Sequence, residues 1–207
     1  MTNRLLLLLA LTVTPFVFTP VALHAEDGAT PTDVRIRVAY MLYTQQLNPN
    51  LQVVDQVSGS CFAGSLADPG RSDAYRCSSG NRIYDPCFLA AADLSAVACV
   101  QTPWSSQATM LSLTDALPSR GENRPELLQA PPWGLELANE AQCNIASTGA
   151  GGAIAGERIN YTCQLADGSM AGQVVGEIDR SQSSWRVFLT GDDPWTIGQT
   201  AVSVAWY

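Results

Sequence analysis

Six cysteines, nineteen carboxylates and one histidine are the residues of this sequence with chemistry to offer. The cysteines are Cys61, Cys77, Cys87, Cys99, Cys143 and Cys163. An even number of thiols in an oxidising compartment reads as disulfides. No pair has the two-residue spacing of a zinc knuckle, so no metal is expected at them. Six cysteines allow fifteen connectivities. Pairing neighbours in sequence, Cys61–Cys77, Cys87–Cys99 and Cys143–Cys163, closes the shortest loops, each worth about 3 kcal/mol in the chain-entropy account. A Pro-rich segment sets the last pair apart; the first four could also pair crosswise.

The histidine, His24, lies in a segment with the marks of a cleavable export signal. Arg4 supplies a basic start, Leu5–Leu11 an apolar centre, and Ala25 a small residue ahead of Glu26-Asp27. Pro15 and Pro20 interrupt the run, which argues against a retained membrane span. The mature protein is therefore expected to be secreted or periplasmic, with no membrane span after cleavage. It would also have no histidine. Ser-His-Asp and Cys-His nucleophile pairs, HExxH and the common histidine-bearing metal sites are then excluded. All eleven basic residues are arginine. Without lysine there is no Schiff-base chemistry and no SxxK pattern. GxSxG, Walker and GxGxxG loops are absent from the sequence. No cofactor is expected, and Gly149–Ala153 reads as a turn.

The net charge is −8, and removing Arg4 with the signal takes it to −9. An acidic chain with scattered arginines has no basic patch for a phosphate backbone, so no nucleic acid partner is expected. Carboxylates leave one catalytic chemistry open, glycan hydrolysis by an acid and a base. Nothing in the sequence singles out two of them. Asp167-Gly168-Ser169 falls at a hairpin, Asp192-Asp193 before a proline reads as a solvated turn, and the sequon Asn160-Tyr161-Thr162 falls in mid-strand.

Two sets of residues are candidates for binding. Asp73, Arg76, Asn81 and Asp85 crowd between cysteines in a cross-linked stretch, where they either form a ligand site or satisfy the backbone of irregular chain. Within this set, Asp73 and Arg76 have the spacing of a helical ion pair. Trp104, Trp133 and Trp195 each follow a proline, as loop aromatics that stack on a ligand or cover the ends of a sheet. Trp185 and Trp206 fit strand alternation and are expected in the core.

These side chains must be positioned by strands. After a polar leader over 26–33 that is expected to be disordered, a Cys-rich β and loop region is expected over 34–117, a Pro-rich connection over 118–132 and an antiparallel meander over 133–207. Val34, Ile36, Val38, Tyr40 and Leu42 alternate as a strand does, and Leu51, Val53, Asp55 and Val57 suggest a second. The forty residues after Cys61 look loop-rich, with at most a short helical turn near Asp73–Arg76, and Met110–Leu113 is a third strand. Ile159–Leu165, the hairpin signal Asp167-Gly168 and a return strand over 169–178 follow. Trp185, Val187 and Leu189 share one strand face; Val202, Val204 and Trp206 share another. The fold class is mainly β and disulfide-stabilised.

The stretch Ser60-Cys61-Phe62-Ala63-Gly64-Ser65, with Arg71–Cys77 and Gly80–Phe88, resembles a group of uncharacterised exported bacterial proteins. Gly156–Tyr161 and Asp179-Arg180-Ser181 add to the resemblance. It implies that the six cysteines are structural and carries no activity. The expected function is a non-catalytic binding protein for a cell-envelope polymer or a secreted protein. An inhibitor of a secreted hydrolase, or a carboxylate-dependent glycan hydrolase, is the alternative.

Overall fold

The computed structural model describes residues 30–119, 124–146, 152–191 and 196–207, which form thirteen strands and no helix. A short strand β1 (Asp33–Arg35) comes first. β2 (Gln52–Gly64), β3 (Ala74–Ser79), β4 (Arg82–Ala90), β5 (Asp93–Cys99) and β6 (Gln107–Leu113) then run as a meander that closes into a barrel. In a meander of five strands the first and last point the same way, so closure has to be parallel. β2 and β6 indeed pair in parallel, from Gln52↔Gln107 to Gly59↔Leu113.

The second barrel uses β7 (Gly134–Leu137), β8 (Gln142–Ile145), β10 (Glu157–Gln164), β11 (Met170–Asp179), β12 (Arg186–Thr190) and β13 (Ile197–Trp206), with the two-residue β9 (Ala153–Ile154) set on β10. Six strands bring the last one back antiparallel to the first, and β13 pairs with β7 in that sense. β1 extends this sheet and not the one it precedes. It lies parallel to the end of β13, with Asp33↔Val204 and Arg35↔Trp206.

Each disulfide joins residues directly opposite on paired strands: Cys61–Cys77 across β2 and β3, Cys87–Cys99 across β4 and β5, Cys143–Cys163 across β8 and β10. The core of barrel one is Tyr75, Tyr84, Val97 and Leu111 packed with Cys61, Cys77, Cys87 and Cys99. Barrel two buries Leu135, Tyr161, Val174, Val187, Val202 and Tyr207 around a single disulfide. A third cluster lies between them, where Phe88 of β4 and Trp133, just before β7, meet at 5.8 Å with Ala39, Leu51, Ala67 and Val100 around them. Trp133 is 1 % exposed, and its backbone is fixed in barrel two through Trp206 O and Ile145 N.

Several local expectations change. The stretch between Cys61 and Cys99 carries three strands, and residues 74–76 are extended and not a helical turn. Pro86 hides β4, because proline donates nothing to a ladder; it stands opposite the register shift between Tyr75 and Cys77, where a strand tolerates one. The alternating Val34–Leu42 is a strand only to Arg35. Beyond it the chain makes a loop closed by the bridge Tyr40↔Leu47, and Ile36, Leu42 and Tyr43 stay exposed. Thr32, at the end of the leader, is held by Ser183 O, Val202 O and Trp185 N at 2.7–2.9 Å. In β13 a register shift between Val202 and Val204 resets the alternation. Ala205 and Tyr207 therefore join Val202 in the core, and Trp206 turns outward to donate to Glu136 Oε1 at 2.8 Å.

Candidate functional site

Where the barrels meet, a cleft of about 610 Å³ opens, within the size range of small-molecule and cofactor sites. Most of its wall is barrel two: Ile145 and Ala146 at the end of β8, Arg158, Asn160 and Tyr161 on β10, and Gly176, Glu177 and Ile178 on β11. Gln129 and Pro131 of the connection form one side, and Leu66, from the β2–β3 loop, closes the side toward barrel one. Strand alternation alone would place Asn160 and Tyr161 on opposite faces. The register shift between Ile159 and Tyr161 bends β10 here, and both reach the cleft.

The wall is rigidly built. Arg180 donates to Leu128 O (2.8 Å) and Ala130 O (3.0 Å) and lies over the Trp185 ring at 4.8 Å. These bonds hold the connection, and with it Gln129 and Pro131, against barrel two. On its other side the connection meets Gly70, whose missing side chain would overlap Leu127. The Tyr161 hydroxyl donates to Pro132 O at 2.8 Å. Burial pushes that hydroxyl far above the usual tyrosine range, with Arg180 pulling the other way. Tyr161 thus offers the cleft a ring and no acid. Asn160 donates Nδ2 to Gly176 O at 2.7 Å. A carbonyl only accepts, so this contact fixes which end of the amide is which; it uses one of the two Nδ2 hydrogens and leaves Oδ1 without a hydrogen-bond partner among the described residues.

Arg180, held on Leu128 O and Ala130 O, also lines the cleft, and Arg158 and Glu177 complete it. Both are solvent-exposed, and among the described residues neither has an ion-pair partner, the other included. The cleft therefore holds two guanidiniums, Arg180 tied to backbone carbonyls and Arg158 with no ion-pair partner among the described residues, and one carboxylate, Glu177, above an apolar floor.

The residues singled out from sequence fall elsewhere. Asp73 takes a two-pronged contact from Arg71 (2.6 and 2.9 Å), and not from Arg76. Arg71 also donates to Arg37 O and lies over the Phe88 ring, so this pair braces the barrel junction. Arg76 instead faces Asp85 at 3.8 Å. Asp85, its side chain only 4 % exposed, accepts from Ser65 Oγ (2.5 Å) and from Leu66 N and Ala67 N (3.1 and 3.4 Å). Burial raises its pKa; the Ser65, Leu66 and Ala67 hydrogen bonds and Arg76 partly offset that. Asp85 touches no cleft residue but Leu66, whose backbone it pins. It shapes the site from behind. Asn81 stands exposed at the tip of the β3–β4 hairpin.

Trp104 is half-buried with Pro103 against Gly134. The reading of Trp133 as a loop aromatic open to ligand is corrected: it fills the space between the barrels, because the chain returns there to start β7. Trp195, Asp192-Asp193, His24 and Gly149-Ala150-Gly151 lie outside the described residues.

The remaining carboxylates with altered acidity are turn caps. Asp93, Asp167 and Asp179 each accept from the serine two residues on, which holds them below the ordinary carboxylate range. Among the described residues no group of three or more His, Cys, Asp or Glu is placed to hold a metal ion. The signal that could have found the cleft is modest: Arg158 and Asn160 are the polar, outward positions of a strand whose other positions are Ile159, Tyr161 and Cys163. Comparison with family models, with curated proteins and with solved structures finds no match to this chain.

Proposed function

We propose that this chain is an exported, non-catalytic binding protein that takes a cell-envelope polymer or a secreted protein into the cleft between its barrels. The observation that carries the reading is the cleft itself. It has a bound-down wall, an apolar floor and a few unpaired polar groups, the composition of a binding site. The three disulfides suit an oxidising compartment, which agrees with the export signal over 1–25. The buried carboxylate Asp85 is engaged by hydrogen bonds from its own fold, and the others with altered acidity cap turns. No observation favours a particular acid and base, so the hydrolase reading has no residues to name.

The test is retention of envelope glycans, peptidoglycan and secreted proteins by the oxidised chain from Glu26 onward, beside the same chain with Ala146→Trp, which fills the cleft. Saturable retention without release of cleaved product, lost in Ala146→Trp with the melting temperature unchanged, is the expected result. Retention of nothing, or steady release of product, would overturn the proposal.

A further inference from the structure

The unpaired charges of the cleft suggest what its occupant looks like. Arg158, on β10, and Glu177, on β11, line one cavity, yet they are not within ion-pair distance of each other. Both are exposed and border a cavity floored by Ile145, Ile178 and the Tyr161 ring, where a bound partner would be partly shielded from solvent and a charge-assisted hydrogen bond would count for more. Asn160 adds directionality. One of its two Nδ2 hydrogens is fixed on Gly176 O, which orients the amide and leaves Oδ1 as an acceptor beside the remaining N–H, on the strand next to Glu177. The site therefore has a donor fork at Arg158, with the Arg180 guanidinium already committed to Leu128 O and Ala130 O, and acceptors at Glu177 and Asn160 Oδ1.

A neutral sugar chain, which presents hydroxyls of both senses, needs no such division. A polyanion would be repelled by Glu177 in a chain whose net charge is already −8. The complement is a molecule with a carboxylate at one end, an ammonium at the other and a compact apolar body between. Resting on the binding function proposed above, we infer that the cleft recognises a short zwitterionic peptide segment. Its carboxylate lies in the Arg158 fork, its ammonium on Glu177 and Asn160 Oδ1, and small apolar side chains on the floor.

The experiment is calorimetric titration of the oxidised chain with alanine peptides of two to five residues, each with free ends, N-acetylated or C-amidated. The N-acetylglucosamine tetramer serves as the neutral glycan. At least one free-ended peptide is expected to bind, and capping either end to weaken it about tenfold, one charge-assisted contact being worth roughly that. Arg158→Gln should then be indifferent to amidation but still sensitive to acetylation, and Glu177→Gln the reverse. A structural role for either residue would not produce that crossed pattern. The inference is overturned if no free-ended peptide binds, if the sugar binds more tightly than every peptide, or if the two variants keep the parent's response to both caps. Ala146→Trp separates this failure from that of the cleft: sugar binding lost in Ala146→Trp would leave the cleft standing and remove only its peptide ligand.

Discussion

The two barrels solve the same closure problem with different arithmetic. Barrel one has five strands and must join its ends in parallel; barrel two has six and joins them antiparallel. They also differ in what fills them. Half of the buried cluster in barrel one is cystine, whereas barrel two centres on tyrosine, leucine and valine with a single bridge. The smaller apolar interior is the one with more cross-links, as expected where a core alone is insufficient. The cleft, by contrast, is walled almost wholly by barrel two, with barrel one lending only Leu66. Two of the three disulfides lie in barrel one, and barrel two walls most of the cleft.

The sharpest way to break that division is at the residue the barrels share. Trp133→Ala should cost about 3–5 kcal/mol and lower the protection of both barrels together in amide hydrogen exchange. Loss confined to barrel two would show that the barrels are energetically separate. Next in size are the bridges. Their loops span 12, 16 and 20 residues, so chain entropy gives each about 3 kcal/mol, with the Cys143–Cys163 bridge slightly ahead. If cystine is half of one core, the order reverses. Replacing Cys87 and Cys99 by alanine should lower the denaturation midpoint more than the same change at Cys143 and Cys163, and equal losses would favour chain entropy alone.

The smallest effect concerns Asp85. Its pKa is raised in the fold by burial, so between the unfolded and folded values the native state holds more protons than the unfolded one. The stabilisation is complete below the unfolded value, near 3.9, and is lost as pH rises through the folded one. Urea titrations should find barrel one less stable as pH rises through this window, and Asp85→Asn should flatten that slope while costing about 1–2 kcal/mol through mismatched donors. An unchanged slope would sink the assignment to Asp85.

Much of barrel two could be read from its residues. Ile159–Leu165, the Asp167-Gly168 turn and the Val187 and Val202 faces alternate cleanly because one side of each strand meets a core. The pairing of cysteines with their sequence neighbours was legible for a related reason, since hairpins bring such neighbours face to face. Barrel one was less so. Pro86 interrupts β4, and serines and arginines dilute β3, so the strands between Cys61 and Cys99 looked like loop. Val34–Leu42 erred the other way: it alternates, but beyond Arg35 it finds no strand edge. The burial of Trp133 is set by the return of the chain to the junction, and the cleft by a bulge and a connection; no local pattern encodes either.

The placement of β1 also bears on how the molecule responds to force. Asp33–Arg35 and the end of β13 lie side by side and parallel, tied further by Tyr207 N to Arg35 O and by Arg37 N to Tyr207 O. Tension pulling residue 33 backward and residue 207 forward runs along the two strands in opposite senses. It must slide one past the other, loading these bonds together and not peeling them singly. Behind that clasp lie both barrels, so the whole described chain from β1 to Tyr207 is shielded from stretching by its two outermost strands.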